Sequence, residues 1–262
     1  MSAHAEDSIT LERLDHRLEI GFNRPEKRNA ANVSLLEQLA LAYGELDRDP
    51  QLRVGIVHAH GDHFTAGLDL VDVGPSLQKQ GSLPIPDGGL DPWGITTRQV
   101  SKPVVVALKG TCFTLGVELA LASDVVIAHR DTVFAQLEVA RGILPFGGAT
   151  SRMPAAAGWS NAMRWLLSAE SFSASEAHRM NIVTEVVDDD PLQAARVIAD
   201  TIAQQAPLAV QETLHSARAA RIDSEKEHAE LPRRLGRLMV TGDVARGMEA
   251  FMTKKPAVFE GN

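Results

Sequence analysis

Residues 54–58, 104–108 and 125–128 form three short blocks that are apolar at nearly every position and rich in Val and Ile. Side chains alternate between the two faces of a strand, so a strand apolar throughout must be covered on both sides. Such blocks predict buried strands with helices packed against them. Residues 8–13 and 17–22 alternate apolar and polar positions around Leu14-Asp15-His16 and read as a hairpin. Asn32-Val33 opens a helix in which Leu35, Leu36, Leu39, Ala42, Tyr43 and Leu46 recur at helical spacing until Asp49-Pro50 stops it. This interleaving predicts an α/β fold with helices outside the sheets.

At 262 residues the chain is near the upper limit for one hydrophobic core. Residues 74–94 carry four prolines and five glycines without periodicity and read as a long functional loop. Beyond Pro145 the pattern is almost wholly helical, with candidates at 155–167, 175–180, 191–205, 208–221 and 243–251. A composition shift at Ala206-Pro207 divides a core, residues 1–205, from a helical docking or oligomerisation region, residues 206–262.

No apolar run approaches the roughly 20 residues that a membrane helix needs, and the N-terminus lacks a signal-peptide pattern, so a cytoplasmic location is expected. A single cysteine, Cys112, allows no internal disulfide and reads as a small buried hydrophobe in a reducing compartment. The net charge of −8 argues against nucleic-acid binding, so an anionic ligand would need a local basic cluster. Lys27 with Arg28, and Lys254 with Lys255, are the candidates, although each pair alone reads as a solvated surface. His58, His60 and His63 match no zinc spacing, and no metal is expected.

In residues 61–70, Ala66 and Gly67 leave little bulk, so backbone amides there could approach a ligand, although taken alone a plain strand-to-loop turn is the preferred reading. A short helix predicted at residues 117–122 leaves the amides of Leu115 and Gly116 at its N-terminus. With the Leu68 amide, the Leu115 amide could hold a developing enolate oxygen. Glu118 and Glu138 each lie in apolar, glycine-punctuated sequence. Singly, either reads as a surface acid; together in one pocket they would do acid–base chemistry.

The ordered series NRPEKRNA (23–30), FTAGLDL (64–70), GTCFTLGVELALASD (110–124), FAQLEVARGILPFGG (134–148), SAESFSASEAHRMNIVTEVV (168–187) and GMEAFMTKK (247–255) resembles the crotonase superfamily, specifically the enoyl-CoA hydratases. The resemblance implies a spiral of ββα units with a C-terminal helical region that builds homotrimers, or hexamers of two stacked trimers. It implies an oxyanion hole at Leu68 and Leu115, and catalytic glutamates at Glu118 and Glu138, 20 residues apart. It also implies an acyl-CoA thioester substrate contacted by Lys27, Arg28, Ala66, Leu68, Asp69, Leu70 and Lys254, and no cofactor beyond the coenzyme A that the substrate carries. Hydration of a 2-enoyl-CoA to a 3-hydroxyacyl-CoA is the expected reaction, with Glu118 as base and Glu138 as acid. A non-turning acyl-CoA-binding protein and an enoyl-CoA isomerase are the alternatives. Many hydratases have three glycines where this chain reads Thr114-Leu115-Gly116, and Phe146 stands where glycine is common, so crowding by Leu68, Leu115 and Phe146 is expected to reshape the pocket.

Overall fold

A computed structural model describes residues 7–83 and 85–262. Strands β1 (Ile9–Leu14) and β2 (Arg17–Phe22) form the expected antiparallel hairpin, turned by Asp15 at φ 52°. Helix α1 (Val33–Arg48) follows, its first turn capped by the Asn32 side chain, which accepts a 2.9 Å hydrogen bond from the Leu35 amide. Next come β3 (Val54–Ala59), α2 (Leu70–Gln80), β4 (Val104–Leu108), β5 (Thr111–Phe113), α3 (Leu115–Ala122), β6 (Val125–His129) and β7 (Val133–Ala135). Then follow α4 (Ala149–Ala157), α5 (Trp159–Ser168), β8 (Ser171–Ser173), α6 (Ala174–Arg179), β9 (Glu185–Val187) and α7 (Pro191–Ala203). Helices α8 (Pro207–Ala220), α9 (Ser224–Leu238) and α10 (Gly242–Thr253) end the chain.

Six strands make one sheet in the order β1-β2-β3-β4-β6-β9, parallel except for the opening hairpin, and β5-β7-β8 make a second. The three apolar blocks become β3, β4 and β6 at the centre of the large sheet, and both of their faces are covered. Val54, Ile56, Val105, Ala107 and Ile127 pack against Ala195, Ala199 and Ala203 of α7. Val57, Val104, Val106, Leu108, Val126 and Ala128 face the main core with α1 and α3. The period-two alternation thus serves two apolar layers, which is why no polar position interrupts it.

Several expectations need correction. The 74–94 loop begins as helix: α2 runs through Pro75 to Gln80, anchored by buried Val73 and by Leu77 packed on the core, and Gly81 ends it at φ 67°. The helix expected at 155–167 is two helices, because Gly158 (φ 79°, ψ 155°) breaks the chain between α4 and α5. Short strands β8 and β9 interrupt the expected helical half, and three residues are too few for periodicity to reveal. Helix α9 carries Pro232 and a strongly charged sequence that hid it. Ion pairs stabilise it: Arg234 bonds Glu227 (2.6 Å) and Glu212 of α8 (2.9 Å), and Arg237 bonds Glu212 (2.9 Å). Among the described residues, no helix is long and apolar enough to cross a membrane.

Candidate active site

The second sheet brings the two glutamate segments together. β5 and β7 run parallel with Phe113 opposite Ala135, so the chains leaving them travel side by side into α3 and into the turn bearing Glu138. The Thr114 amide donates to the Ala135 carbonyl at 2.8 Å and continues that alignment. Glu118 and Glu138 are 2% and 4% exposed, so neither is the surface acid that it would be if read alone. Both line one cavity, together with Ala66, Leu68, Leu70, Thr114, Leu115 and Phe146.

Glu118 is cradled by backbone: the Gly147 and Ala149 amides donate to its Oε1 at 2.8 and 3.0 Å. Burial raises its pKa above the usual carboxylate range, while these two amides and the Arg152 charge oppose that rise. Glu138 is raised further, to about 7, first by burial and then by the charge of Glu118. The side-chain amide of buried Gln136 lies 3.1 and 3.2 Å from the two carboxylate oxygens of Glu138 and 3.2 Å from the Thr114 carbonyl, and so contacts the acid directly.

Among the described residues the amides of Leu68 and Leu115 have no protein acceptor, for different reasons. Residues 65–69 are held on both sides: Ala31 and Asp69 donate to the Gly67 and Ala31 carbonyls at 2.8 and 2.9 Å, while Thr65 exchanges bonds with Thr111 and Phe113. The Leu68 amide lies between these bonds and has no protein acceptor among the described residues. Leu115 is the first residue of α3, where a helix offers its amide no partner.

The positive φ in this turn falls on Thr114 (φ 49°, ψ −112°), so Leu115 is spared the conformational question that its non-glycine side chain raises. Gly116 must stay small, because a Cβ there would lie 2.6 Å from Thr65 Cγ2. Thr114 also buries a hydroxyl without a hydrogen-bond partner among the described residues. Such a backbone costs about 1–3 kcal/mol, and glycine gives back roughly 1 kcal/mol through its freer unfolded chain. Thr114→Gly is therefore expected to stabilise the fold by about 1 kcal/mol. Thermal unfolding checks this, and an unchanged or lower Tm would show that the turn is unstrained.

The basic residues fare differently. Lys27, Arg28 and Lys254 are exposed, and neither they nor Asp69 lines the cavity. Arg28 nonetheless adjoins it, since the Ala66 amide donates to its carbonyl at 2.9 Å. Asp69 pairs with Arg24 at 3.5 Å, and Lys254 closes the end of α10. In the 23–30 motif, the fully buried side chain is Asn29, whose Nδ2 donates to the His60 and His63 carbonyls at 2.9 and 2.8 Å and so shapes this turn.

The three histidines take part in ordinary contacts. Burial, then the neighbouring His60, pushes His58 down to about 4, so it stays neutral at pH 7. His60 Nε2 bonds Thr10 Oγ1 at 2.8 Å, and His63 Nδ1 accepts from the Thr111 amide at 3.1 Å. Among the described residues, no three His, Cys, Asp or Glu side chains cluster as metal ligands would. Cys112 is fully buried, and burial raises its thiol pKa. Sequence reasoning missed Gln136, the Gly147 and Ala149 amides, Arg152, and Trp93, which lines the cavity. Of these, only Gln136 offered a signal, a polar residue within an apolar run two places before Glu138.

Residues 17–262 match the family described as enoyl-CoA hydratase/isomerase. The chain belongs to that family. Members of the enoyl-CoA hydratase/isomerase family with solved structures share its architecture. One, described as a probable enoyl-CoA hydratase/isomerase from Mycobacterium abscessus, superposes with a TM-score of 0.94 at 47% identity, covering 97% of this chain and 99% of that one. The 2,3-dehydroadipyl-CoA hydratase of Escherichia coli is 30% identical over 97% of this chain and 98% of its own length. The 1,2-epoxyphenylacetyl-CoA isomerase of the same organism is also 30% identical, over 92% of this chain and 93% of its own. The crotonase-like α/β fold with its helical C-terminal region is as the sequence resemblance implied. Hydratase and isomerase names occur at equal identity, so the choice between those reactions falls to the site.

Proposed function

We propose that this protein is an enoyl-CoA hydratase, adding water reversibly across the double bond of a 2-enoyl-CoA. The observation that carries this reading is the pair of buried carboxylates on one cavity, held in different ways. Burial raises both, but at Glu118 two backbone hydrogen bonds oppose the rise, whereas Glu138 is pushed up to about 7. Neighbouring acids whose environments separate their proton affinities divide naturally into base and acid. Ionised Glu118 takes a proton from the water attacking C3, and protonated Glu138 delivers one to C2. The thioester oxygen sits between the Leu68 and Leu115 amides, which stabilise it as enolate charge grows. Overall the addition is not a redox reaction, so the mechanism requires no redox cofactor. Coenzyme A enters as part of the substrate.

In this reading Ala66, Asp69 and Leu70 flank the path of the CoA arm, while Lys27, Arg28 and Lys254 meet its phosphates. Lys254 acts within its own subunit or toward a neighbour. Large apolar side chains on α10 and in the turn before it support assembly: Val240, Phe251 and Met252 are 86%, 87% and 73% exposed. Burying them against copies of the chain would give a trimer or a stacked hexamer, and analytical ultracentrifugation reads the number of subunits directly.

Loss of the conjugated thioester absorbance of crotonyl-CoA tests the activity, and product analysis with a 3-enoyl-CoA separates hydration from isomerisation. The expected pH dependence follows from Glu138. Hydration should weaken as pH rises through about 7, where Glu138 loses the proton that it must donate. Stability moves the same way. Between 4.5 and about 7 the folded chain keeps a proton that the unfolded chain has released, so folding weakens as pH rises across that window. Glu138→Gln should flatten this slope in urea unfolding series, and an unchanged slope would place its source elsewhere.

A further inference from the structure

One guanidinium ties together the surroundings of Glu118 and Leu115. Arg152, in the first turn of α4, donates through Nη1 to the Gly147 carbonyl at 2.9 Å and through Nη2 to the Trp93 carbonyl at 2.6 Å. Gly147 is the residue whose amide holds Glu118. Trp93 is 6% exposed and donates through its indole Nε1 to the Leu115 carbonyl at 3.1 Å. The bonds therefore close a ring: Glu118 to Gly147, Gly147 to Arg152, Arg152 to Trp93, Trp93 to Leu115, and back along α3 to Glu118.

The ring is built to be rigid. Asp91, 5% exposed, accepts from the Trp93, Ile95 and Thr96 amides at 2.8–2.9 Å, which fixes the backbone whose carbonyl Arg152 grips. Gly148 leaves room for the guanidinium, because a Cβ there would strike Arg152 Nη1. Trp93 packs on Gly147 so closely that a Cβ on Gly147 would lie 3.0 Å from its Cδ1. Among the described residues Arg152 makes no ion pair; both arms of its fork go to backbone carbonyls. That use depends on the planar shape of guanidinium as well as on its charge, and lysine cannot reproduce it.

We propose that Arg152 and Trp93 are positioning residues that couple the carboxylate of Glu118 to the backbone of Leu115, setting the acid–base group and the oxyanion donor in register as one unit. The inference rests on the hydratase reading. It predicts that breaking the ring at either member degrades the polarisation of a bound thioester carbonyl, although neither residue touches that oxygen.

Trp93→Phe removes the indole donor and keeps an aromatic ring of smaller volume on the cavity wall, and Arg152→Lys keeps the charge and removes the fork. The probe is cinnamoyl-CoA, whose near-ultraviolet band moves to longer wavelength when donors polarise its thioester carbonyl. Titration into wild-type protein should give that shift. Both variants should bind the probe with a smaller shift, and should hydrate crotonyl-CoA with kcat lowered about 10- to 100-fold and KM little changed, the loss expected when reacting groups are misplaced by about 1 Å. A wild-type shift that both variants keep in full, with kcat retained, would overturn the coupling alone. A wild-type protein that neither shifts the probe nor hydrates crotonyl-CoA would overturn the hydratase reading, and this inference with it.

Discussion

Glu118→Gln and Glu138→Gln should each lower kcat for crotonyl-CoA hydration by about 10²- to 10⁴-fold, the contribution of a positioned acid or base. The substitutions are nearly isosteric, so the fold should persist. At position 118 the glutamine oxygen can accept the same two amides, Gly147 and Ala149, while its nitrogen, which is no base, faces the cavity. At position 138 the change removes one of the two oxygens that Gln136 contacts and the only proton donor at that place. Glu118→Gln carries a further expectation, since the charge of Glu118 is one cause of the raised Glu138 pKa. Removing it should bring the Glu138 titration below about 7, visible in the carboxylic-acid band of infrared difference spectra. The two losses should combine less than additively, because the residues act on one reaction as a unit. Full activity in both variants would sink the mechanism.

Gly147→Ala should lower kcat about 100-fold, the scale of a small misplacement of a reacting group. Its Cβ would lie 2.7 Å from Glu118 Oε2 and 2.9 Å from Cδ, so the carboxylate must leave its cradle or the 147–149 turn must shift. Either outcome separates Glu118 from the amide that holds it. Gly147 has no positive φ, so the effect is steric, without backbone strain. Overpacking of this kind costs about 1–3 kcal/mol, which leaves a folded enzyme to assay. Gly74→Ala in α2 is the control, since a Cβ there meets nothing within 4 Å. Wild-type kcat in Gly147→Ala would show that the cradle is not needed to place Glu118.

How far the site was legible differs from residue to residue. The hairpin, α1 and the central strands follow from local periodicity, because each segment's neighbours along the chain already define its apolar faces. Helix α9 escaped because its stability comes from Arg234 and Arg237 reaching Glu212 on another helix. The two glutamates were found through an ordered series of motifs; each alone would have passed for a surface acid. Lys27, Arg28 and Lys254 belong to the same motifs, yet their place outside the cavity wall could not be read from spacing.

The family was legible in the ordered motifs, and the α/β class in the apolar blocks, because burial on both faces of β3, β4 and β6 requires helices packed against the sheet. Only the tertiary structure decided what Glu118 and Glu138 can do. Parallel pairing of β5 with β7 sets the two segments side by side, the 147–149 turn supplies donors to one carboxylate, and the Gln136 amide contacts the other. It also moved the unusual backbone from Leu115 to Thr114 and joined Arg152 to Trp93 across 59 positions of chain. Proton affinity and hydrogen bonding depend on distances of a few ångströms between segments remote in sequence, and those distances arise only when the sheets pack.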